Sequence, residues 1–127
     1  MARILVAEDD VHVMRLMSIW LTKAGHEVLE ACNGAEAKDL LKAREVDFVI
    51  TDANMPVCDG LELVRWLRVD AGLRVPVMML SARCDQANLG ARLGELEVTV
   101  HPKPFSPSRL SVEIEARLAA AGVSTEL

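Results

Sequence analysis

Five short strand-like runs recur along the chain, each followed by polar or turn-forming residues: Arg3 to Ala7, Glu27 to Ala31, Phe48 to Thr51, Val75 to Leu80 and Val98 to His101. Between them the apolar residues change to helical spacing. Val11, Met14, Met17 and Leu21 predict a first helix, capped by Asp10 and terminated by Gly25. After a turn at Asn33-Gly34, the Ala/Leu/Lys-rich stretch from Ala35 to Arg44 predicts a second, and residues from about Gly60 to Val69 a third. Ala71-Gly-Leu is a loop; Asp85 to Leu93, with Gly90 inside it, predicts a weaker fourth helix. Ser106 caps a fifth whose core face is Leu110, Ile114 and Leu118, at i, i+4 and i+8.

Five strands alternating with five helices predict an α/β fold: one doubly wound, five-stranded parallel sheet, because right-handed crossovers put helices on both faces. Val75-Pro-Val-Met-Met-Leu80 is continuously apolar, as strands covered on both faces are. The flavodoxin-like order 2-1-3-4-5 places strand five at an edge, where Pro102 is tolerated.

With 127 residues the chain makes one domain, expected over residues 1–121, and 122–127 form a frayed tail. The last helix closes the fold with few residues to spare, so no output domain is expected within this sequence. Half the residues are hydrophobic (51%), yet no apolar run approaches the roughly 20 residues that span a bilayer, and no secretory leader is read at the start. Cys32, Cys58 and Cys84 lack the spacing of a zinc or redox site, which fits a reduced, cytoplasmic compartment. A net charge of −5 without a Lys/Arg-rich run argues against a direct nucleic-acid surface and against an anionic membrane.

The chemistry lies at the strand ends. Glu8 and Asp9 follow strand one, Asp52 follows strand three, Ser81 strand four and Lys103 strand five, all on one edge of a parallel sheet. Met55-Pro56 disfavours helix after Asp52, and Asp59-Gly60 supplies turn chemistry that tolerates positive φ. Strands one and three are neighbours in the expected order, so their acids converge. Carboxylates that close need a cation, and a hard oxygen set suits Mg²⁺ or Mn²⁺. Acid nucleophile, metal, ammonium and hydroxyl make a phosphoryl-transfer kit, with Asp52 attacking phosphorus in line.

Taken together, Ile4-Leu-Val-Ala-Glu8-Asp9, Asp52-Ala-Asn-Met-Pro56 with Asp59-Gly60, Ser81-Ala82 and Lys103-Pro-Phe105 resemble the receiver domain of bacterial two-component response regulators. The resemblance runs from Ile4 to about Ala120. It implies that Asp52 accepts a phosphoryl group from a histidine kinase or phosphotransfer protein. It further implies that Glu8, Asp9, Asp52 and the Asn54 backbone carbonyl hold the metal, that Ser81 follows the phosphoryl group, and that Lys103 meets it from a Lys-Pro bond to Pro104. The resemblance also implies that Asn54 and Arg83, each two residues past a site residue, line the path of the attacking water. The product is a switch for a downstream protein target, not an enzyme turning over a metabolite. Dimerisation through helix four, strand five and helix five is common in the family.

Two features depart from the family pattern. The usual aromatic three residues before the lysine is Val100 here, in a chain without tyrosine, and the glycine before strand five is early, at Gly94, followed by Glu95-Leu-Glu97. These favour signalling through the fourth helix and its loop, or a pseudo-receiver that binds partners without phosphorylation. An Asp-nucleophile phosphohydrolase is a weaker alternative, because Asn54 cannot serve as its general acid. His101 is expected to face the partner surface or solvent, and Trp20, Trp66 and the methionines to pack.

Overall fold

The computed structural model describes residues 2–81, 96–102 and 106–121. The predicted fourth helix, Arg83, Gly94, Glu95, the Lys103-Pro104-Phe105 triplet and the tail 122–127 lie outside the described residues. Strands β1 (Arg3–Ala7), β2 (Glu27–Ala31), β3 (Phe48–Asp52), β4 (Val77–Ser81) and β5 (Val98–Pro102) form one parallel sheet in the order β2-β1-β3-β4-β5. β5 is at an edge, as Pro102 requires.

Alternation along the strands divides the core into two layers. Ile4, Val6, Phe48, Ile50, Met78 and Leu80 face helices α1 (Val11–Lys23) and α4 (Pro107–Ala120). Leu5, Val49, Val77, Met79 and Val98 face α2 (Gly34–Ala43) and α3 (Gly60–Arg65). Every residue of β3 and β4 is buried, which is the double coverage that their apolar sequences predict. The methionines at 14, 17, 55, 78 and 79 are buried packing residues. Trp20 packs against the α1/α4 layer and Trp66 against the other, with the Lys38 and Lys42 ammonium groups 5.9 and 5.8 Å from its ring.

Several expectations need correction. Met14, Met17 and Leu21 form the buried stripe of α1, but Val11 is 70% exposed. The steps from Val11 to Met14 and from Met14 to Met17 each fall about 60° short of a full turn, and the accumulated drift puts Val11 about 90° from the centre of the stripe. Asn33 is no simple turn residue: its side chain accepts from Glu36 N and caps α2, which starts at Gly34. The third helix widens after Arg65 into a π-helical turn, Trp66–Asp70, closed by Ala71 N donating to Trp66 O at 2.9 Å. β4 begins at Val77 and not Val75, because the Val75 carbonyl accepts from Arg68 Nη1 at 2.7 Å and Pro76 has no N–H to give. Ser106 stands at the start of α4, but its hydroxyl meets Ser108 Oγ at 3.1 Å instead of capping the helix.

Candidate functional site

The acids meet because the β1–β3 register carries them together. Ala7 lies opposite Thr51, so Glu8 and Asp52 are the next positions of adjacent strands. Both ladders continue past their strands: Glu8 N donates to Ala31 O at 3.0 Å and Ala53 N to Leu80 O at 2.8 Å. One carboxylate oxygen from each of Glu8, Asp9 and Asp52 lies within 4.8 Å of the others. Glu8 is 3% and Asp52 7% exposed, whereas Asp9 is open to solvent. Asp10 turns away from this cluster to cap α1, accepting from His12 N and Val13 N, and its own N–H donates to Glu8 Oε2 at 3.2 Å. Of three successive acids, one serves the helix and two serve the cluster.

Ser81 is fully buried at the end of β4, one residue beyond Leu80, which is the partner of Asp52. Asn54 is exposed in the loop after β3. Lys103 and Arg83, the remaining predicted site residues, lie outside the described residues. His101 is half-buried in β5, with its Nε2 2.5 Å from Glu113 Oε2 on α4. Val100 is half-buried against the α2/α3 layer.

The loop from Ala53 to Asp59 is fixed at several points. Gly60 N donates to Ala53 O and Gly34 N to Cys58 O, each at 3.0 Å, while Met55 is buried. Asp59 caps α3, its Oδ1 accepting from Glu62 N at 2.9 Å. The positive φ of this loop falls on Val57, at 69°, while Asp59 is extended with a φ of −79°. Gly60 is there for space: a Cβ on it would run into the Asp52 carbonyl oxygen and come within 3.0 Å of Ala53 Cα. Gly34 is likewise needed where a Cβ would strike Cys58. Sequence reasoning missed these two close approaches. The available signal was a glycine directly after a capping Asn or Asp, at a helix start where no turn needs it.

Beside the cluster, a cavity of ≈ 260 Å³ is lined by Glu8, Asp9, Glu30, Cys32 and Glu36 among others, with no lysine or arginine in its wall among the described residues. Cys32 Sγ donates to Glu36 Oε2 at 2.8 Å, and this contact pushes the thiol pKa up and the Glu36 carboxyl down. The donor set suits a hard divalent cation. Octahedral Mg²⁺ would need its oxygens about 3 to 4 Å apart at about 2.1 Å from each ligand, and the three oxygens, within 4.8 Å of one another, would hold it after a modest closure.

Residues 4–115 match the family model described as the response regulator receiver domain. The chain belongs to that family. This receiver domain is 35% identical over 121 residues to the transcriptional regulatory protein GltR of Pseudomonas aeruginosa, covering 93% of this chain and 49% of that one. It is 32% identical to the phosphate regulon transcriptional regulatory protein PhoB of the same organism, over 94% of this chain and 52% of PhoB. It therefore spans about half the length of these relatives. Among solved structures, a Francisella response regulator 1452 receiver domain superposes with a TM-score of 0.88 at 26% identity, covering 95% of this chain and 99% of that one. The chemotaxis protein CheY4 of Vibrio cholerae gives 0.82 at 29% identity, over 91% and 98%. Among the described residues, no helix is long and apolar enough to cross a membrane.

Proposed function

We propose that this receiver domain, residues 1–121, is a phosphoacceptor switch of a two-component phosphorelay in which Asp52 is the residue modified. The observation that carries the reading is the convergence of Glu8, Asp9 and Asp52 on one point at the carboxyl edge of the sheet. A carboxylate oxygen of Asp52 attacks the phosphorus of a phosphohistidine on a histidine kinase or phosphotransfer protein. The new O–P bond forms as the P–N bond breaks, and the imidazole leaves with the electron pair.

Glu8, Asp9, Asp52 and the Asn54 backbone carbonyl would hold Mg²⁺ or Mn²⁺, which when bound neutralises charge on the phosphoryl oxygens. Two of these acids, Glu8 and Asp52, are largely shielded from water, where a compensating charge has most effect. Lys103 supplies a second positive charge and Ser81 a hydroxyl to the modified state. Asn54 and Arg83 tune its lifetime, which acyl phosphate decay in Asn54→Met and Arg83→Ala would read. The modified domain acts on a downstream protein in the cytoplasm through the surface of its last strand and helices, without turnover of a metabolite.

The test is treatment with acetyl phosphate and Mg²⁺ followed by intact-mass measurement of the parent and Asp52→Asn. A single phosphoryl adduct on the parent alone is expected. A second reading, a phosphorylation-independent binding module, is favoured by Val100 packing against the core in place of an aromatic relay; it predicts no adduct on either protein. Rapid phosphate release without an adduct would point to a hydrolase.

A further inference from the structure

On the side of the sheet opposite the acids, Arg68 occupies the centre of an all-backbone clamp. Its Nη1 donates to Leu73 O at 2.9 Å and Val75 O at 2.7 Å, both in the loop that enters β4. Its Nε donates to Leu96 O at 2.8 Å, and Nη2 reaches Glu97 O at 3.4 Å, in the turn that enters β5. β4 and β5 begin as register partners, Val77 opposite Val98, so one guanidinium spans the amino end of the whole ladder. The fork of five donors is what allows four carbonyls from two segments to be held at once.

Three further features accompany this clamp. The π-helical turn Trp66–Asp70 contains Arg68 and widens α3 just before the loop it holds. Glu97 has a φ of 57°, a left-handed conformation that a non-glycine residue keeps only where its surroundings over-determine it. Burial lowers the Arg68 pKa, and among the described residues no carboxylate lies within ion-pair distance of its guanidinium. Among the described residues its hydrogen-bond acceptors are all backbone carbonyls, and the charge of Glu97 partly offsets the effect of burial.

We propose that Arg68 makes the amino end of the β4–β5 pair a fixed abutment, so that rearrangement at the carboxyl edge of the same strands does not carry through to it. Phosphoryl chemistry at Asp52 would act on strand ends whose other ends are held, and the response is directed sideways into the packed helices. This second statement rests on the phosphoacceptor reading; the clamp itself does not.

Hydrogen exchange by mass spectrometry separates the two. Without ligand, Arg68→Met is expected to accelerate exchange about tenfold or more in peptides covering 73–79 and 96–100, leaving β1 and β2 as in the parent. Arg68→Lys, which keeps the charge but cannot span both segments, should fall between. Unchanged exchange at 96–100 in Arg68→Met, or uniform acceleration of all five strands in both variants, would overturn the clamp. On adding Mg²⁺ and beryllofluoride to the parent, exchange is expected to change at 53–60 and stay constant at 96–98. A change reaching 96–98 would overturn the abutment. Silence at 53–60 would count against the phosphoacceptor reading, and the ligand-free comparison would then decide the clamp by itself.

Discussion

Gly60 lies directly beneath the backbone of Asp52, with no room between the glycine Cα and the Asp52 carbonyl oxygen for a side-chain carbon. Gly60 N also donates to Ala53 O, so the first residue of α3 supports the reactive position from below. Gly60→Ala must push either α3 or the end of β3. It is expected to cost about 1 to 3 kcal/mol in urea denaturation and to lower the yield of acetyl phosphate adduct at Asp52. A variant as stable and as readily modified as the parent would show that this contact positions nothing.

Val57 holds a φ of 69° while 81% exposed, a conformation that its β-branched side chain disfavours and no packing rewards. Val57→Gly removes a left-handed penalty of about 1 to 2 kcal/mol, partly offset by the greater freedom of glycine in the unfolded chain. A net gain of about 0.5 to 1 kcal/mol is expected, read from urea midpoints. A loss of stability would mean that the loop does not hold Val57 in a strained state.

The acid cluster predicts opposite effects of one substitution with and without metal. Asp9→Asn relieves repulsion among three like charges, so the metal-free protein should melt higher than the parent. Mg²⁺ at about a hundred times its Kd should stabilise the parent by about 2.7 kcal/mol, and Asp9→Asn should lose most of that gain. Thermal melts with EDTA and with MgCl₂ read both. Equal gains in the two proteins would place the ion elsewhere.

Away from the site, Glu27 joins β2 to Arg3 and Arg44. The Arg3 hydrogen bond holds its carboxyl pKa below the ordinary value; desolvation opposes this, and the charges of Arg3 and Arg44 assist. A depressed carboxyl pKa contributes stability above the unfolded pKa that is lost as pH falls through the folded one. Glu27→Gln should therefore be less stable than the parent at neutral pH and indistinguishable from it in acid well below the usual carboxylate range. Urea midpoints at both pH values read this; a difference that persisted in acid would assign the effect to packing.

The amino-acid sequence alone determined the five strands, their parallel order and the acids at their carboxyl ends, because apolar runs and helical spacing report directly which residues leave water. It could not decide the features that depend on residues meeting across the sheet. The meeting of Glu8 and Asp9 with Asp52 and the cap by Asp10 follow already from strand order and cap chemistry, and the β1–β3 register only sets how close the acids come; the need for glycine at 60 comes from how closely α3 approaches Asp52. Val75 left its strand because its carbonyl meets Arg68, and His101 lies against Glu113, contacts set by how α3 and α4 pack and not by any local pattern. Local pattern encodes burial and turn propensity; it carries no measure of the distance between residues that only packing brings together.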